Sequence, residues 1–92
     1  MIQRVVLFNT ESSINKKRVI KRTKEVLPPI PGVKSLQIGK ITNDNYNFGL
    51  IILFEDRGAL DNFSSHPDHR DYVDNFLKPK INDIVAYNIE LF

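Results

Sequence analysis

The segment FSSHPDHRDY, residues 63–72, holds both histidines of the chain, His66 and His69, together with Asp68, Arg70 and Asp71. An imidazole titrates near neutrality and can move a proton or bind a metal, and neighbouring charges tune which of these it does. His66 and His69 stand about one helical turn apart, yet tightly bound zinc needs a third protein ligand. The sequence has no further histidine and no cysteine, so no such metal site is expected. Magnesium needs only carboxylates and water, and surface acids such as Asp44, Asp61 or Asp71 can hold it loosely. His69 can instead accept a proton in a small pocket whose rim cation, Arg4, holds a carboxylate or enolate beside it. Two plain structural readings compete with that one. His69, in the first turn of a helix, can hydrogen-bond a neighbouring strand or loop, and Arg4 can pair across the sheet with Glu90.

These side chains are placed by a simple succession of elements. IQRVVLFN (2–9) is β-branched and aromatic enough for a strand. Residues 11–27 then switch to helical spacing, with Val19, Thr23, Val26 and Leu27 as the apolar stripe, Ile20 beside it, and Ser12 or Ser13 as N-cap. PPIPG stops that helix, because proline lacks the donor and pushes the preceding residue out of the helical region. VKSLQIGKIT (33–42) and FGLIILFE (48–55) read as a hairpin joined by the polar turn NDNYN. Asp56 caps a short helix over RGALDNFSS. Ser65, with Asp68 in capping-box position, is expected to cap a last helix over PDHRDYVDNFLKPKI, and IVAYNIELF (84–92) closes as a strand.

The order β-α-β-β-α-β predicts a ferredoxin-like α+β protomer, one domain over residues 1–92, with an antiparallel sheet and helices on one face. In the third strand Phe48, Leu50, Ile52 and Phe54 alternate with Ile51 and Leu53, and in the first Val6 and Phe8 alternate with Val5 and Leu7, so both faces of these strands are apolar. Lys34, Ser35, Gln37, Lys40, Asn88 and Glu90 mark the other two strands as edges. Two helices cover only one face. The second needs another sheet, and a second copy of the same chain is the simplest provider.

IQRVVLF, the LFED end of the third strand, ALDNFSSHPDH and VAYNIEL together resemble the stress-responsive dimeric α/β-barrel (Dabb) family over essentially the whole chain. The most specific element is His66-Pro67-Asp68-His69 directly after the short helix. The resemblance implies a protomer whose sheet packs on its twin's, often with a pocket between sheet and helices. It also brings in a plant polyketide cyclase that uses a first-strand histidine, a tyrosine three residues before the His-Pro pair, and the second histidine of that motif. Only the last matches here, as His69. Phe63 stands at the tyrosine position and has no hydroxyl, and Arg4 stands at the histidine position and stays protonated at neutral pH. That cyclase mechanism does not carry over.

Composition narrows the classes further. Thirteen basic against eleven acidic residues give a formal charge of only +2, too balanced to indicate nucleic acid. Lys16, Lys17, Arg18, Lys21, Arg22 and Lys24 crowd one helix without interleaved aromatics to stack on bases, as on a solvated helix face. No run is apolar over a bilayer's thickness and no signal segment is visible at the start, so a cytoplasmic address is expected, in keeping with the lack of cysteine. The tyrosines Tyr46, Tyr72 and Tyr87 are expected to pack with their hydroxyls reaching water. The expected function is a small homodimeric binder of an apolar, anionic molecule, with no cofactor, no nucleic acid and no membrane. Its pocket is formed by Arg4, Phe63, His66 and His69, and a stress-related role fits the resemblance. An enzyme using His69 as its catalytic residue, cyclase-like or a cofactor-free oxygenase, and a purely structural dimer are the alternatives.

Overall fold

The structure, a computed structural model, describes residues 1–42 and 45–92. The first two residues of the NDNYN turn, Asn43 and Asp44, and with them the Asp44 carboxylate named above for magnesium, lie outside the described residues. The chain runs β1 (Ile2–Asn9), α1 (Ser13–Val26), β2 (Val33–Lys40), β3 (Phe48–Phe54), α2 (Arg57–Ser65), α3 (Pro67–Asp71) and β4 (Asn82–Glu90). All strand pairs are antiparallel and the sheet order is β2-β3-β1-β4. The central and edge strands are those the side-chain pattern assigns.

Each helix begins where a side chain satisfies a free backbone donor. Ser12 accepts from the Asn15 amide at 3.3 Å and Asp56 from the Ala59 amide at 2.9 Å. After α1 the chain turns through Gly32, whose φ of +99° suits only glycine, and a Cβ there would sit 3.0 Å from the Ala59 carbonyl. This turn ties the end of α1 to α2.

The start of α3 departs from expectation. Ser65 is the last residue of α2 and its hydroxyl turns back to the Asp61 carbonyl at 3.1 Å. The N-cap is His66, whose Nδ1 accepts from the Asp68 amide at 3.1 Å. Pro67 follows at the first helical position, where its missing N–H costs nothing. With the cap one residue later, Asp68 leaves the capping-box position. The expected single long helix is also divided. Beyond α3 the backbone widens into a π turn, Tyr72–Leu77, and ends in a 3-10 turn, Lys78–Lys80.

Ile2, Val6 and Phe8 of β1 and Phe48, Leu50, Ile52 and Phe54 of β3 are buried against Val19, Leu27, Leu60, Phe63 and Leu77 of the helical layer. The opposite face carries no helix. There Val5, Leu7, Leu53 and Val85 are half-buried, and Ile51, Tyr87 and Ile89 are exposed, at 56% for Tyr87. The sheet therefore has one covered and one open apolar face, the second larger than scattered surface residues explain.

The cap assignment gives an order of effects. His66→Ala should cost about 0.5–1 kcal/mol in thermal unfolding and Ser65→Ala less than about 0.5 kcal/mol, because only the former frees a helix donor.

Candidate functional site

Strand alternation sends every second side chain of β1 to the helical side, and in that row of Ile2, Arg4, Val6 and Phe8 the single charge is Arg4. It is not paired with Glu90. The register sets Ile2 opposite Glu90 and Arg4 opposite Asn88, because β4 starts two residues earlier than its apolar run suggests. Arg4 Nη1 instead donates to the Ser64 hydroxyl at 3.1 Å, and its buried Nε has no hydrogen-bond partner. Among the described residues no carboxylate forms an ion pair with it. Burial lowers the pKa of the guanidinium from its ordinary value, but the group remains charged at neutral pH.

Ser64 also holds His69. The imidazole Nδ1 lies 3.1 Å from the Ser64 carbonyl oxygen. A carbonyl can only accept, so this contact assigns the hydrogen to Nδ1 and leaves the lone pair of the neutral ring on Nε2. The ring packs on Phe63 with centroids 4.4 Å apart, and Phe63 in turn packs on Phe54 at 5.0 Å. Burial lowers the His69 pKa from 6.5; the Ser64 contact opposes this, Arg4 and Arg70 reinforce it, and Asp74 opposes it. His69 is thus a neutral acceptor at pH 7.

Arg4, Phe63 and His69 meet on a cavity of about 170 Å³. Its sheet wall is Val6, Leu50 and Ile52, its helical wall Leu27 with Tyr72, Val73 and Leu77 of the π turn, and its edge Ile84 and Ala86 of β4. Those two β4 residues are exposed, so the wall reaches solvent at the sheet edge. The π turn shapes this wall: Tyr72 and Leu77, five positions apart, are both buried on it, whereas an α-helix would turn them onto different faces.

Of the four residues expected at the pocket, His66 is a correction. It does not line the cavity, since capping α3 through Nδ1 beside Pro67 fixes its ring at the helix start. Tyr72 is the converse case. Its hydroxyl does not reach water but is hydrogen-bonded to the Thr23 hydroxyl in the interior, and burial outweighs that contact to raise its pKa to about 12. Thr23 in the apolar stripe of α1 was the available signal, because a buried hydroxyl there requires a partner. For Ser64 the sequence carries no signal that separates it from Ser65. Among the described residues no three acidic or histidine side chains gather as metal ligands, and Asp61 and Asp71 are exposed.

The family model described as the stress responsive A/B barrel domain matches residues 2–91. A family protein of ferredoxin-like fold from Mesorhizobium loti superposes with a TM-score of 0.90 at 24% identity, covering 99% of this chain and 96% of that one. A dimeric ferredoxin-like protein of unknown function from Thermobifida fusca gives 0.84 at 23%, covering 98% and 90%. A cofactor-independent oxygenase from Streptomyces nogalater gives 0.79 at 13%, covering 98% and 91%. No curated protein matches the sequence.

Two measurements test the geometry. The folded-state pKa of His69 lies below its unfolded value, so the unfolded state binds the extra proton first: stability is full above about pH 6.5 and falls as pH drops through 6.5 toward the folded pKa. Urea unfolding of His69→Gln should lack this acid-side slope between those two values. Tyr72→Phe, which strands the Thr23 hydroxyl, should cost about 1–3 kcal/mol, and adding Thr23→Val should recover most of it.

Proposed function

Since the chain belongs to the stress-responsive A/B barrel domain family, we propose that it works as a homodimer in which each protomer binds one small, apolar, anionic molecule in the cavity at Arg4 and His69. The observation that carries the reading is the half-buried guanidinium of Arg4, which lines a largely apolar cavity with no carboxylate partner among the described residues. A charge in such a place is costly unless a counter-ion reaches it. The cavity size sets the ligand size. About 170 Å³ is close to the ~150 Å³ that holds one benzene ring, so the ligand is a single ring or a short chain with an acidic group.

The dimer is supported by the open sheet face and by the likeness to the dimeric Thermobifida fusca protein. Ile51, Tyr87 and Ile89 then meet their counterparts across a two-fold axis. The stress-related role rests on the family's description, and a reducing, cytoplasmic setting on the lack of cysteine.

A second reading, catalysis at His69, is favoured by one observation, the neutral imidazole with an available Nε2 on the cavity. The Streptomyces nogalater neighbour of similar fold is a cofactor-independent oxygenase, which is in keeping with this second reading. Against a cyclase stands Phe63, which supplies no proton donor.

Benzoate titration followed by NMR tests the binding reading. Arg4→Met should weaken benzoate roughly ten- to hundredfold, the worth of a charged hydrogen bond, and change toluene binding by less than about twofold. Equal losses for both would remove Arg4 from the site. Light scattering should give a dimer at micromolar concentration, and Leu53→Lys on the open face should yield monomer or unfolded chain; a monomeric wild type would refute the dimer.

A further inference from the structure

The near balance of charge over the whole chain conceals a segregation. The helix α1 carries six of the thirteen basic residues and one of the eleven acidic ones, Glu25, so the rest of the chain holds seven basic residues against ten acidic. α1 packs on the covered side of the sheet through Val19 and Thr23, and a second copy on the open face leaves its outer side free. That side is a single stripe. Ile14, Lys17, Arg18, Lys21 and Arg22 stand at the i, i+3, i+4, i+7 and i+8 positions that share one helix face. All five are exposed, Ile14 at 62%, and Lys24 is exposed beside them.

The arrangement works against the helix that carries it. Lys17 and Lys21, and likewise Arg18 and Arg22, are like charges four positions apart, which repel. The first turn holds Lys16 and no acid, at the end where the helix dipole favours negative charge, and Glu25 stands near the end where it favours positive. Cations elsewhere in the chain are engaged: Lys34 with Glu55 at 2.6 Å, Arg57 with Asp61, and Lys78 with Asp74. Among the described residues none of the six cations of α1 forms an ion pair. Interspersed charges of both signs would solvate the helix as well without the repulsion, so hydration does not account for the stripe. An anionic surface does, because it lowers the energy of every one of these cations at once.

The stripe also selects its partner. A nucleic acid offers phosphates to the cations but nothing to an isoleucine set among them, and α1 has no aromatic side chain to stack on bases. An anionic lipid surface takes both, with headgroups for the charges and the acyl boundary for Ile14, while the aliphatic stems of lysine and arginine lie along the interface. We infer that the outer face of α1 docks the protein on an anionic lipid surface, Ile14 dipping below the headgroups and Lys17, Arg18, Lys21, Arg22 and Lys24 meeting them. The cavity at Arg4 and its ligand take no part in this contact.

Sedimentation with vesicles tests the docking. The protein should pellet with vesicles of phosphatidylcholine mixed with phosphatidylserine and stay in solution with phosphatidylcholine alone. Raising the salt from about 0.1 M to about 1 M, which shortens the screening length from about 10 Å to about 3 Å, should release it. Each cation at such a surface is worth about fivefold in affinity. Lys17→Gln, Arg18→Gln and Lys21→Gln together should therefore weaken binding roughly a hundredfold, with thermal melting at or above the wild-type temperature because the repulsive pairs are gone. The chain has no tryptophan, so Ile14→Trp gives a single emission, which should shift to the blue on the serine-containing vesicles and not on a short duplex RNA. Failure of the wild type to pellet, equal pelleting with the neutral vesicles, or undiminished binding by the triple variant overturns the docking. Binding to the duplex RNA with no blue shift on vesicles assigns the face to nucleic acid and overturns it as well.

Discussion

A four-stranded sheet whose central strands are apolar on both sides has to be covered twice, and this chain has helix enough for one side only. The other structural choices follow from that constraint. Strict alternation along β1 divides Val5 and Leu7 from Val6 and Phe8, and it forces Arg4 into the same row as the core residues Ile2 and Val6. The cation is therefore not placed by a loop that can relax toward water. It is fixed on a central strand paired on both sides, next to the helical layer, where burial works against its charge.

The helical layer resolves this strain incompletely. Ser64 takes one of the guanidinium hydrogens, and its carbonyl fixes the tautomer of His69, so a single turn at the end of α2 sets the polarity of the whole cavity. Phe63, one position earlier, contributes only surface, packed between Phe54 and the imidazole. The hydroxyl nearest in kind to the one absent at Phe63 belongs to Tyr72, and Thr23 occupies it. Arg4 and Phe63 thus give the cavity a fixed cation and, at the position of the ring that packs on His69, no hydroxyl.

Alternation and capping made most of the fold legible in the sequence. The paired faces of Phe48 to Phe54 identified a central strand, and Ser12 and Asp56 stand at helix starts because their oxygens are the acceptors that free amides require. What was not legible lies in competition between neighbours of similar chemistry. In Ser64-Ser65-His66-Pro67 three side chains can cap, and the imidazole took the role because proline at the next position sets the first turn one residue later. The Arg4–Glu90 pairing failed by two residues of register, since Asn82 and Asp83 extend β4 at its start. The π turn has no sequence signature, because it differs from an α-helix by one hydrogen-bond step that tertiary packing decides.

That turn also determines how the segment tolerates changes in length. A π turn is an α-helix with one residue too many, so removing a single residue between Val73 and Phe76 would let the backbone close into a regular α-helix instead of breaking it. Tyr72 and Leu77 would then stand four positions apart, about 40° round an α-helix, so Leu77 would keep its place on the cavity wall and the chain beyond would keep its direction toward β4. A one-residue change of length at this place is therefore absorbed within the turn itself, and chains of this fold that differ by one residue here should keep both the four paired strands and the apolar wall.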